Sequence, residues 1–329
     1  MVPLMKHMLL LPGLAALCIA AGPSPSHPGG LGEPFAGRLA TTEVRGTAVL
    51  NVDSGMTFAS IQAAINAASP GDTLEIQVPD LQEGQVLVDR SLTLRGQTGA
   101  EVVRMAVDTG SSGDNRAWFL VNAGVNLQVR NLTFDGDGHL VFQAFRHRGT
   151  GLFENCRFRD IQFQPSTSYA GTAIVVFDDG DLEVRGCTFE EIGRVGVLAF
   201  GPGVTGSRFD DNVYLGKGPG DWLDYAFEVG GGANAVVSRS SVTACQGVAS
   251  ADGSTSAGVL ASTFFGAGTQ VEVRSSSLLD NTVGLAVGFD ATDASAATAA
   301  LNRIVANTDA GIQGNSTLPL SAENNWWGC

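Results

Sequence analysis

VRGCTF, Val184–Phe189, decides the fold because the chain keeps repeating it. VRNLTF (Val129–Phe134), FENCRF (Phe153–Phe158), VTGSRF (Val204–Phe209), VSRSSV (Val237–Val242) and VRSSSL (Val273–Leu278) each keep an apolar residue at both ends around small or polar ones. Anchoring on the last apolar residue gives Leu94, Phe134, Phe158, Phe189, Phe209, Val242, Leu278 and Ile304, spaced 20 to 40 residues apart. Periods of that size mean stacked units, each unable to bury its apolar side alone.

A second apolar run precedes each anchor after the first: AWFLV, LVFQAF, TAIVVF, VGVLAF, YAFEVG, AGVLAS and VGLAVGF, in chain order. The unit therefore reads strand, turn, strand, longer turn. Alternation points Val184 inward, and a bend at Gly186 returns Cys187 and Phe189 to the same inner face. Stacking such units at the inter-strand spacing of about 4.8 Å buries continuous columns of side chains, which makes the chain an all-β parallel β-helix. Roughly nine coils would form a prism on the order of 45 Å long.

Three positions past the anchors stand Asn212, Asn281 and Asn307, with Ile161, Ile192 and Cys245 as their equivalents in other coils. Stacked asparagines can satisfy buried backbone groups. Cys156 and Cys187 share a column, which suits either a disulfide or two buried thiols. No CxxC pair occurs, so zinc is not indicated. In TFASIQAAINAASPGD, Phe58, Ile61, Ile65 and Ala68 share one helical face, Thr57 can cap the start and Pro70-Gly71 stops it; a helix over 57–70 should cover the first coil. At the other end, 323–329, the tryptophans of NNWWGC read as a lid or as a ligand platform.

Lys6 and His7 followed by the apolar run Met8–Ala21 read as an export signal over 1–25, leading through a linker, 26–50, to the β-helix, 51–329. The run is shorter than the roughly 20 residues that span a bilayer. The expected protein is a monomer, secreted or at the cell surface, with no membrane span. With 44% hydrophobic residues, 43 glycines and 16% charged residues it is globular and rich in turns. A net charge of −14 excludes nucleic acid as a partner.

FASIQAAINAASPGDTLEIQV with VLVDRSLTLRG, and NRIVANTDAGI with AENNWWG, resemble the opening and closing coils of the pectin-lyase-like superfamily. The resemblance covers most of 57–329. It implies a secreted right-handed parallel β-helix that binds extracellular, acidic polysaccharide. It also implies cleavage by β-elimination, in which carboxylates hold calcium against the sugar and an arginine takes the proton. The catalytic motifs depart from the family. There is no Arg-x-Pro-x-x-Arg signature, and Asn307-Thr308-Asp309 matches only the first of the three polygalacturonase motifs. A non-catalytic surface or adhesion module is the alternative.

Two candidate sites follow. The turn holding Arg146, His147 and Arg148 should stack beside the turn holding Asp178, Asp179 and Asp181. The carboxylates could then hold calcium while a basic side chain acts as catalytic base; a surface salt-bridge cluster is the plainer reading. The long turn Val213–Phe227 carries Tyr214, Trp222, Asp224 and Tyr225, which could bind sugar rings and hydroxyls, or fold back as a cover. Asp290 and Asp293 are a lesser calcium candidate.

Overall fold

The computed structural model describes residues 47–163, 170–263 and 268–328. Three sheets of twelve, nine and nine strands run along the molecule, almost entirely parallel, and successive coils add one strand to each. The coil containing VRGCTF gives Asp181–Arg185 to the first sheet, Thr188–Ile192 to the second and Val195–Phe200 to the third.

The repeat thus has three strands where alternation suggests two, because the phrase itself turns a corner. Gly186 has φ 62°, and Asn131, Asn155, Asp211, Arg239, Ser275 and Leu301 take the same left-handed conformation in other coils. One such residue resets the side-chain alternation, so Val184 and Phe189 both face the core from different sheets. Asparagine and aspartate tolerate the conformation; arginine and leucine hold it because the stacked coils on either side fix the corner.

Register corrects the anchors. Phe134, Phe158, Phe189, Tyr214, Val242, Leu278 and Ile304 form one column of the second sheet. Phe209 pairs with Val184 and Leu94 with Val129, so both belong to the first sheet. The true copy in that coil is FDDNVY, Phe209–Tyr214, in which tyrosine takes the aromatic place. Phe158 stacks on Phe134 and Phe189 with ring centroids 5.4 and 5.2 Å apart.

Asn212 moves with this register. It falls in line with Cys156 and Cys187, and its Oδ1 accepts from the Cys187 amide at 2.9 Å. The line continues as the Asn212 amide donates to Ser240 Oγ, Ser240 to Ser276, Ser276 to Asn302 and Asn302 to Asn325, at 2.9–3.2 Å. Asn281 and Asn307 form the expected second column, with the Cys245 amide donating to Asn281 and the Asn281 amide to Asn307, both at 3.0 Å. Cys156, Cys187 and Cys245 are buried thiols, not disulfides.

The covering helix, α1 (Ile61–Ala67), is shorter than 57–70. Thr57–Phe58 instead pairs with Val49–Asn51, and Ser60 supplies the cap by accepting from Ala63. Ile61, Ala64 and Ile65 are buried against the first coils, as an end cover requires. At the other end Trp326 joins the last coil, donating from its amide to Asn302 O and accepting from Ile304 N. Trp326 and Trp327 stay half exposed, at 47% and 49%. The expected export signal, 1–25, and most of the linker lie outside the described residues, as does Cys329. Among those described, no helix is long and apolar enough to cross a membrane.

Candidate functional site

The two charged turns do stack. The strand Gln143–His147 pairs in register with Thr172–Val176, which brings Arg148 Nε to 3.2 Å from Asp178 Oδ2. The same arginine also forks onto Asp114, with Nη1 donating to Oδ2 at 3.0 Å, and Arg146 Nε reaches Asp114 Oδ1 at 3.1 Å. Both guanidinium groups lie over the Phe177 ring, 4.1 and 5.0 Å from its centroid. Burial opposes ionisation of Asp114, but the Arg148 and Arg146 hydrogen bonds outweigh it and hold the carboxyl below its ordinary pKa. Burial also lowers the pKa of Arg146, although the guanidinium stays charged.

His147 faces inward with no exposure, its Nδ1 accepting from the Gly149 amide at 3.1 Å. Burial pulls its pKa down to about 3, so it is a neutral core residue out of reach of any substrate. Asp181 is spent as well, accepting from Gly206 N at 2.8 Å, Thr205 N at 3.1 Å and Ser207 Oγ at 3.2 Å. Asp178 and Asp179 remain exposed. Among the described residues no group of three or more His, Cys, Asp and Glu side chains is placed to hold a metal, so the three aspartates do not fit calcium as they stand. Asp293 collects five donors, from Ser262, Thr263, Phe289 and twice from Ser295, which makes it a loop organiser.

The Val213–Phe227 turn folds back as a cover. Tyr214 and Asp224 are buried and bonded to each other. Lys217 Nζ donates to Ile192 O at 2.6 Å and Gly193 O at 3.1 Å, and lies 3.4 Å from Asp224. Burial raises the pKa of Asp224, against the pull of Lys217, and raises Tyr214's well above its ordinary value. Tyr225 is 5% exposed and donates to Thr255 O at 3.1 Å. With Leu223 it joins an apolar cluster over the outer face of the third sheet. Trp222 is half-buried, its Nε1 donating to Gly218 O at 3.2 Å within its own loop. None of the four offers a sugar platform in this arrangement.

A surface that the motifs did not mark lies on the outer face of the first sheet. Ser207–Asp210, Asn234–Ser238, Gln270–Arg274 and Ala296–Ala300 run side by side. Arg208, Val236, Glu272 and Thr298 form one outward row, and Asn234, Gln270 and Ala296 another. Together with Thr205 they line a groove of about 380 Å³.

Nearer the N-terminus this face satisfies itself. Arg95 bonds Glu75 at 2.8 Å, Arg185 bonds Glu154 at 2.6 Å, Arg130 pairs with Glu154, and Asn126 donates to Thr150 at 2.9 Å. In the groove it does not. Arg208 and Glu272 make only long ion pairs among the described residues, each 3.4 Å, to Asp210 and Arg274. The buried Asn234 Oδ1 has no hydrogen-bond partner among the described residues. A faint sequence signal existed: outward polar positions in these strands sit beside the small side chains of AATAA.

A family model described as "right handed beta helix region" matches residues 117–326. The chain belongs to the right-handed β-helix family. Two solved structures align with it, the periplasmic alginate epimerase AlgG and a double mutant of that protein. Their identities are 10% and 11% and their TM-scores 0.35 and 0.34, over 82% of this chain and 83% of theirs. No curated protein matches the sequence.

Proposed function

We propose that this β-helix is an exported glycan-binding protein that takes an extended extracellular polysaccharide along the groove of the first sheet. The observation that carries the reading is the contrast on one sheet face between side chains that pair closely with one another and those of the groove, where Arg208 and Glu272 make only 3.4 Å ion pairs and Asn234 Oδ1 has no partner among the described residues. Sugar hydroxyls both donate and accept, so they suit a guanidinium, an amide and a carboxylate set close together. Val236 between them offers an apolar patch for the C–H face of a pyranose ring. Binding without turnover fits the charged turns, whose basic groups are buried or paired.

Calcium-assisted β-elimination is the second reading, favoured by the exposed Asp178 and Asp179 beside Arg148. It requires the Arg148 pairs with Asp114 and Asp178 to open. One experiment separates the two. Protein lacking the export segment is titrated with a panel of soluble polysaccharides, with calcium or chelator, while ultraviolet absorbance follows unsaturated uronate products. The proposal expects binding without product, weakened by Arg208→Ala and unchanged by Arg148→Ala. A calcium-dependent rise in product lost in both Arg148→Ala and Asp179→Ala would replace it with the lyase. No binding across the panel would leave the β-helix as a display column.

A further inference from the structure

The balance of charge in the groove narrows the ligand, an inference that rests on the glycan reading above. Of the described residues that line it, only Arg208 and Glu272 are charged, one of each sign, while the exposed Gln270 and Thr298 offer neutral polar groups. Each charge already has a counter-charge two residues along its own strand. Arg208 Nε lies 3.4 Å from Asp210 Oδ2, and Glu272 Oε1 lies 3.4 Å from Arg274 Nη1. A tight bond between such groups measures roughly 2.7–2.9 Å, so both side chains keep hydrogen-bonding capacity for a ligand. They are also open to one, at 45% and 44% exposure.

Arg208, Val236 and Glu272 occupy the same row on three consecutive coils. The guanidinium and the carboxylate therefore stand two inter-strand steps apart, about 9.6 Å, along the solenoid axis. A pyranose advances by roughly one coil spacing, so a chain lying along the axis sets one sugar at Arg208 and the next but one at Glu272. In a homopolymer, and equally in a chain that alternates two sugars, those two are chemically the same.

That identity works against uronates. A carboxylate delivered to Arg208 delivers a second to Glu272, where like charges repel, on a protein already carrying −14. A neutral chain meets no such conflict. Its hydroxyls accept from Arg208 and donate to Glu272, while Asp210 and Arg274 keep each charge compensated. Val236, on the strand between, faces the C–H surface of the intervening sugar.

We propose that the groove takes an uncharged polysaccharide, bound non-covalently through its hydroxyl groups. Such a chain has no uronate to undergo β-elimination, in keeping with binding without product.

Calorimetric titration at two ionic strengths tests this. The neutral probes are dextran, a linear mannan and a mixed-linkage β-glucan; the uronates are polygalacturonate and hyaluronan. At least one neutral chain should bind about tenfold or more tightly than either uronate. Its affinity should change less than about twofold as salt rises, because no charge is paired across the interface. Arg208→Ala should weaken it. Glu272→Gln should leave it within about twofold, since the amide still bonds hydroxyls, while raising polygalacturonate affinity several-fold. Tighter binding of a uronate, weakened by salt and by Arg208→Ala, overturns the assignment while leaving the glycan reading standing. Where a chain of the wider panel binds better than these five, its charge decides in the same way. Binding of no chain at all removes both.

Discussion

The phenol of Tyr214 donates to the carboxyl of Asp224 while both side chains are closed off from solvent, with exposures of 1% and 0%. The bond ties a core column of the second sheet to the cover over the third, and Lys217 closes the triangle. Removing Asp224 takes the partner from the buried Tyr214 hydroxyl and the counter-charge from Lys217, which costs about 3–5 kcal/mol for a buried charged pair. Asp224→Ala should therefore lower the urea midpoint sharply, and Tyr214→Phe by a smaller amount. Neither should change glycan affinity in protein that remains folded. A selective loss of binding in Tyr214→Phe at unchanged stability would return this loop to the site.

Glu83 predicts an unusual pH response. It is 6% exposed and accepts from the Ile61 amide at the start of α1 at 2.5 Å, and burial pushes its pKa up to about 7. A carboxyl whose pKa is higher folded than unfolded stabilises most below about 4.5, and that stability fades as pH rises through about 7, by about 3 kcal/mol in all. His147 acts in reverse. Its folded pKa of about 3 gives stability that is complete above about 6.5 and lost as pH falls. The two trends oppose each other between pH 4.5 and 6.5. Glu83→Gln removes one of them, so unfolding free energy should rise more steeply with pH in the variant across that window. Parallel curves for the variant and wild type would show that Glu83 is not shifted.

Asp293 tests the calcium readings from the opposite side. Its hydrogen bonds hold its pKa down to about 2 despite burial, so its contribution is present above about 3.9 and lost as pH falls through 2. Asp293→Ala should destabilise by about 1.5–3 kcal/mol through the loss of bonds to a charged acceptor. Chelator should leave the wild-type melting temperature unchanged. A fall in melting temperature on chelation, absent in the variant, would make this loop a cation site.

The aromatic column sets the largest single-residue cost. Phe158 is fully buried between two stacked rings, so Phe158→Ala should cost about 3–5 kcal/mol, against less than about 1.5 kcal/mol for Phe158→Leu if the column closes up. Chemical unfolding of both variants checks the difference.

The solenoid was readable because packing forces equivalent residues to recur, and VRGCTF recurs where its neighbours must stack on it. Its bend was readable at Gly186, but not that the bend separates two sheets in every coil, because the same left-handed conformation falls on Arg239 or Leu301 elsewhere, which share no side-chain signature with glycine. Tyr214 was misplaced for a related reason. An aromatic in a long polar turn looks like a ligand platform until register shows that it continues the phenylalanine column. Arg148 and Asp178 were correctly placed as neighbours, but Asp114, one coil before the arginines, carries no mark of the fork that both arginines make to it. The groove was invisible as a motif. It depends on how closely the outward side chains pair, and that depends on neighbours a full coil away.

The account's central claim is that glycan lies on the first sheet and not on the charged turns or the Val213–Phe227 cover. Photo-crosslinking with an oligosaccharide of the tightest-binding polysaccharide, followed by peptide mapping, locates it directly. The account predicts adducts on Ser207–Asp210, Asn234–Ser238 and Gln270–Arg274, suppressed by excess unlabelled glycan. Adducts concentrated on Arg146–Thr150, Asp178–Asp181 or Val213–Phe227 would contradict it.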